Sequence, residues 1–191
     1  MRSDRAATPG QTVGPFFGYA LPYPGSELLV PQHHPAAVRL HGFVLDGEVE
    51  PVPDALLEIW QADGDGRPVR RPGSLRRDGY TFTGWGRTGT DNVGHYSFTT
   101  LEPARADEAP PFIALTVFAR GLMHRLFTRI YLPDSPGLST DPFLQSVDVD
   151  RRSTLIATRD EDASLRFDVH LQGAQETVFL SFSSAVVNLQ Q

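Results

Sequence analysis

Pro53-Asp54-Ala55-Leu56-Leu57-Glu58-Ile59-Trp60-Gln61-Ala62-Asp63-Gly64-Asp65-Gly66-Arg67 decides the fold. Residues 55–61 form a short apolar run with one charge, Glu58, and a proline just ahead of it. That is too short for a helix and reads as a buried strand. Asp63-Gly64-Asp65-Gly66 then forces a turn, because Gly accepts positive φ and Asp bonds to its own local backbone. A buried strand emptying into a Gly/Arg/Pro-rich loop is where a β-protein places a site.

Outward from this stretch the same grammar repeats. Val38 to Asp46 alternates apolar and polar residues, and a turn over 47–53 leads into the strand at 55–61. Residues 63–87 read as a long loop, with Arg67, Arg70, Arg71, Arg76 and Arg77 crowded into it and Tyr80 near its end. Those arginines form either a solvated loop or a positive rim for an anionic partner. Asp91 to Gly94 is a turn feeding an alternating strand through Leu101, with Tyr96 and Phe98 on one face. Further strands are expected at 112–120, 126–132, 154–158, 165–171 and 177–182, with residues 133–153 a loop holding one helical turn at most. About eight strands without a long helix predict an all-β, two-sheet β-sandwich. Residues 1–37 hold six prolines and no clear regular element, so they read as an N-terminal arm on a domain spanning 38–191. The arm either packs on its own domain or reaches a neighbouring subunit.

Composition excludes several functions. The 191-residue chain is 40% hydrophobic and 21% charged, as expected of a globular domain. Its net charge of -6 argues against nucleic-acid binding. There is no cysteine, which removes disulfides, thiolate-ligated zinc and iron–sulfur clusters. All 17 basic residues are arginine, so lysine Schiff-base and phosphate-loop lysine chemistry are absent. No stretch reads as a signal peptide or a membrane span, and a cytoplasmic location is expected. Neither a nucleophile elbow nor a His-Glu-x-x-His motif occurs. The six histidines include no His-x-His pair, and His33-His34 reads as a surface pair because neighbours on an extended chain face opposite ways.

Several motifs read together say more. Ala55 to Asp63 resembles the strand that opens the site in the intradiol ring-cleaving dioxygenases. The resemblance continues through Thr90 to Thr100, Phe118 to Gly121, Phe127 to Tyr131, Arg166 to Val169 and Glu176 to Phe179, with Thr8 to Phe16 in front. It therefore covers most of the chain. It implies cleavage of a catechol-type substrate by O₂ at a ferric iron held by two Tyr and two His.

The departures are as informative. Where the family has Gly-Arg-Tyr, this chain has Gly66-Arg67-Pro68; Ala106 lies in the loop that carries the second Tyr. Where the family has Pro-x-His-x-His, Phe112 and Ala114 stand. Phenolate and imidazole suit ferric iron; these side chains do not. The resemblance thus implies a subunit with no catalytic residue or metal of its own. It would form an αβ unit with a homologous β chain that carries Fe(III). In that setting Thr12, Gly14, Pro15 and Arg129 would line the substrate cavity, the guanidinium holding a substrate carboxylate. An ion pair is the plain alternative for Arg129, and a simple turn for Gly14-Pro15. A self-sufficient dioxygenase is disfavoured by the missing ligands. A non-enzymatic transthyretin-like or immunoglobulin-like binding module is disfavoured by the arm and the Trp-Gln-Ala strand.

Overall fold

Period-two burial sets the strands, and the computed structural model describes residues 16–69, 77–105 and 109–181. In β1 (Val38–Leu45) the side chains of Val38, Leu40 and Val44 are buried, and those between them face outward. β1 pairs antiparallel with β4 (His95–Thr100), from Val38 opposite Thr100 to Phe43 opposite His95. The turn before β4 forms as expected: Asp91 Oδ1 accepts from the backbone of Val93 at 3.0 Å and of His95 at 2.9 Å. Gly94 takes φ 73° there, and a Cβ would meet the Val44 carbonyl.

The first sheet runs β4-β1-β8-β7, with β9 also on β1; β7 is Thr158–Arg159, β8 Leu165–Arg166 and β9 Val169–His170. The second runs β3-β2-β5-β6, with β2 Leu56–Gln61, β3 Trp85–Gly89, β5 Phe112–Phe118 and β6 Leu126–Tyr131. These sheets close over a core of Leu40, Leu57, Ile59, Phe98, Ile113 and Ile130, all fully buried. They are also tied by polar groups. Thr100 Oγ1 donates to Gln61 Oε1 at 2.8 Å, and Gln61 Nε2 donates to the Leu101 carbonyl at 2.7 Å. Both side chains are buried, so these bonds are required rather than decorative.

The all-β sandwich is as expected, with several local differences. β3 falls inside the stretch read as loop; its sequence, Trp85-Gly86-Arg87-Thr88-Gly89, has no apolar alternation. A Cβ at Gly86 would press on Leu29 Cδ1 and stand 3.2 Å from the Ser26 carbonyl, so the arm packs closely over this strand. The strand expected over 165–171 is broken. Asp168 Oδ1 accepts from the Phe43 backbone at 3.0 Å, so a side chain takes the ladder position of a carbonyl. The expected strand at 154–158 is instead the end of a 3₁₀ segment (Val149–Leu155) running into β7. Residues 177–181 form no strand and meet β6 through two single bonds: Leu180 N to Phe127 O, and Thr128 Oγ1 to Val178 O. Residues 133–153 contain α2 (Pro142–Ser146), capped by Asp141.

The described part of the arm is more ordered than its prolines implied. A short helix, α1 (Phe16–Ala20), precedes a segment whose Leu29 and Val30 are buried. Leu29 donates to the Thr99 carbonyl at 2.8 Å, and Thr99 donates back to Glu27 at 3.0 Å. Arg87 donates from its backbone to the Ser26 carbonyl at 2.9 Å. This stretch packs on its own domain, along the open edge between β3 and β4.

The close crossing at Gly42 gives a test. A Cβ on residue 42 would stand 2.0 Å from the Phe167 carbonyl oxygen. Gly42→Ala is expected to destabilise the chain by about 3 kcal/mol or more. Urea unfolding measures this; a change below about 0.5 kcal/mol, the scale of a surface substitution, would remove the crossing as the cause of the broken strand.

Candidate functional site

The outer face of the second sheet carries the residues that the sequence singled out. Ile59, Ile113 and Ile130 point into the core, so their neighbours Trp60, Phe112, Ala114, Arg129 and Tyr131 point out. The register aligns Trp85, Trp60, Ala114 and Arg129 in one row across all four strands, and sets Phe112 opposite Tyr131. Trp60 is 42% exposed at the centre of this face. Towards β6 the face is covered by α2 and the 3₁₀ segment. There Tyr131, Leu144 and Leu155 form a second buried cluster with Phe112 and Phe143 beside it.

Arg129 sits between two aromatic rings. Its guanidinium carbon lies 4.3 Å from the centre of Phe112 and 4.6 Å from that of Phe143. Nη1 donates to Tyr131 Oη at 3.1 Å. That hydroxyl donates to Asp141 Oδ1 at 3.2 Å, and the same oxygen caps α2 by accepting from Leu144 N at 2.8 Å. Burial pushes the Tyr131 phenol above its ordinary pKa; the Arg129 charge opposes this, and the Asp141 charge adds to it. Tyr131 was legible in principle, two residues after Arg129 on one strand. Phe143 and Asp141 were not, since only tertiary folding brings α2 over the sheet.

The four positions that the sequence reading set against the family's iron ligands carry no side-chain donor for a ferric ion. Phe112 offers a phenyl ring packed beneath a cation, and Ala114 a methyl group. Pro68 lies in a backbone bridge with Ala62 and has no donor side chain. Ala106 falls outside the described residues. A guanidinium beside Phe112 would also repel a metal cation. Thr12, Gly14 and Pro15 lie outside the described residues as well.

Polar pairs missed in the sequence flank this face. Glu58 Oε1 accepts from Arg87 Nε at 2.8 Å and from Nη2 at 2.5 Å, across β2 and β3. The Arg87 guanidinium also lies 5.0 Å from the centre of Trp85. Buried Asp54 pairs with Arg120 at 2.7 Å. From the arginine-rich loop, Arg77 turns inward rather than forming a rim: Nη2 donates to the Trp85 carbonyl at 2.6 Å, and Nη1 donates to Thr83. Arg67 is exposed and pairs with Asp65; Arg70, Arg71 and Arg76 lie outside the described residues. Among the described residues no helix is long and apolar enough to cross a membrane.

A family model described as "Dioxygenase" matches residues 13–173. The chain belongs to the intradiol dioxygenase family. It is 41% identical to the protocatechuate 3,4-dioxygenase alpha chain of Burkholderia cepacia, covering 90% of this chain and 95% of that one. It is 33% identical to the beta chain of the same organism's enzyme, over 71% of this chain and 64% of the relative. Among solved structures it is similar to the dioxygenase domain of a carbohydrate-binding fusion from Streptomyces sp. SirexAA-E. That match has a TM-score of 0.58 at 25% identity, covering 88% of this chain and all of that one. Family membership favours a dioxygenase subunit over a transthyretin-like or immunoglobulin-like module. Within the intradiol dioxygenase family, then, this chain keeps the sandwich and carries a cation stacked on the outer face of its second sheet.

The Tyr131 link gives a pH-dependent test. A phenol whose folded pKa is raised contributes stability that is present below its unfolded pKa, near 10, and lost as pH rises beyond it. Tyr131→Phe is expected to cost about 1–2 kcal/mol at pH 7, because Asp141 loses a donor. It should also lessen the further loss of stability between about pH 10 and 11. Urea unfolding at pH 7 and 11 checks both; an unchanged alkaline loss would show that Tyr131 is not a titrating group in the fold.

Proposed function

We propose that this chain is the α subunit of a protocatechuate 3,4-dioxygenase and works in the cytoplasm as half of an αβ unit. The observation that carries the reading is the outward row of β5 and β6. Phe112 and Ala114, which align with donor positions of catalytic members, offer no donor side chain, and Arg129 opposite Ala114 stacks on Phe112. The ferric ion belongs to the β chain, which supplies the metal chemistry. The reaction adds both atoms of O₂ to 3,4-dihydroxybenzoate and opens the bond between the two hydroxyl-bearing carbons, giving 3-carboxy-cis,cis-muconate.

Residues 1–37 act as an arm and residues 38–191 as the sandwich domain. The arm delivers Thr12, Gly14 and Pro15 to the wall of the substrate cavity, where a Gly-Pro turn lets backbone approach an aromatic ring. Arg129 supplies positive charge towards the substrate carboxylate. One of its five N–H donors is engaged by Tyr131; its Nε and Nη2 find no acceptor among the described residues and remain for an anion.

Two measurements test this. The chain purified alone is expected to be colourless and free of iron; purified with its partner it should show the tyrosinate-to-iron absorption band and cleave protocatechuate. Stoichiometric iron in the lone chain would falsify the subunit assignment. In the assembled enzyme, Arg129→Ala should raise KM for protocatechuate about tenfold or more, the scale of one lost charge-assisted hydrogen bond, with iron content unchanged. An unchanged KM together with loss of assembly would make Arg129 an interface residue instead.

A further inference from the structure

We propose that the cavity between residues 25–35 and residues 77–82 is a binding site for a small aromatic carboxylate. This inference goes beyond the assignment above and does not rest on it. The cavity measures about 520 Å³ and is walled by apolar side chains, among them Leu28, Pro31, Phe82 and Leu101. It lies at the β3 edge of the second sheet, whereas Arg129 is on β6 at the other edge.

One wall of this apolar space is a cation. Arg77 lines the cavity, and its guanidinium bonds only to neutral acceptors: the Trp85 carbonyl at 2.6 Å, the Ser26 carbonyl at 3.3 Å, and the Thr83 hydroxyl. Its Nε is buried and has no hydrogen-bond partner. Among the described residues no carboxylate pairs with it. The nearest carboxylate in sequence, Asp78, is committed elsewhere. It accepts from the backbones of Tyr80 at 2.8 Å and Thr81 at 2.7 Å, and from the Thr81 hydroxyl at 2.6 Å. Those bonds hold its pKa at about 2. A shielded guanidinium with no counter-ion among the described residues is costly, and the charge of an anion in the cavity that it lines offsets that cost.

The walls define the rest of the ligand. Apolar surface cannot solvate an inorganic anion, so the carboxylate must come on an apolar body. Phe82 lines the space, and Tyr80, 96% exposed, stands at its mouth as a ring with a polar tip. His34 adds a second donor to the lining. Its Nδ1 accepts from Ala36 N at 3.2 Å, which leaves the proton of the neutral ring on Nε2.

The test is a titration of the full-length chain with 4-fluorobenzoate and with 4-fluorobenzamide, followed by ¹⁹F NMR. The acid is expected to bind saturably, one per chain, and at least tenfold more tightly than the amide, which has the same ring but no charge. Arg77→Leu should weaken the acid at least tenfold in a chain whose circular dichroism stays close to wild type. If that variant fails to fold, the comparison of acid with amide in the wild-type chain decides alone. Equal binding of the two, no saturable binding of the acid, or full affinity for it in a folded Arg77→Leu would overturn the proposal.

Discussion

The strand register of β2, β5 and β6 is the constraint on which the rest of the structure depends. Ile59, Ile113 and Ile130 are each fully buried between the sheets. A slip by one residue would turn all three to solvent and bring Trp60, Ala114 and Arg129 into the core. The core therefore dictates what the outer face presents. An outward row with Trp60, Ala114 and Arg129 side by side follows from burying the isoleucines.

On that face a cation has been built into an aromatic setting. Arg129 lies between Phe112 and Phe143 and reaches Asp141 through the Tyr131 hydroxyl. A buried charge needs such partners, since an isolated one would be expelled or destabilising. The ring contacts and the Tyr131–Asp141 relay also fasten α2 to β6. The family's sandwich thus carries here an outer face of aromatic and cationic packing.

Ties at the opposite edge are of a different kind. Glu58 and Arg87 satisfy one another across β2 and β3, and Gln61 with Thr100 links the two sheets. Residues 26–29 complete the edge by bonding to Thr99 and Arg87. Arg77 is the exception, because its partners are neutral and one of its buried donors has none. Arg129 reaches a carboxylate through the Tyr131 hydroxyl, whereas Arg77 meets only neutral acceptors.

Alternation at β1 and β4 and short apolar runs between turn residues at β2, β5 and β6 determined these strands and the sandwich, because a half-buried strand writes its register into every second residue and a buried one reads as an apolar run. The motifs around Trp60 and Tyr96 carried the family, and Pro68, Phe112 and Ala114 raised the expectation of a subunit without ligands of its own. β3 could not be read, since two of its five residues are glycines whose role is to admit Leu29 and other backbone. Nor could the break at Phe167-Asp168, which depends on a side chain from one strand entering the ladder of another. What only the tertiary structure decided were meetings between residues far apart in the chain: Phe143 and Asp141 with Arg129, and Arg77 with the segment 25–35. Such meetings have no periodic trace, because they are set by how loops cross a packed sheet and not by the local pattern of burial.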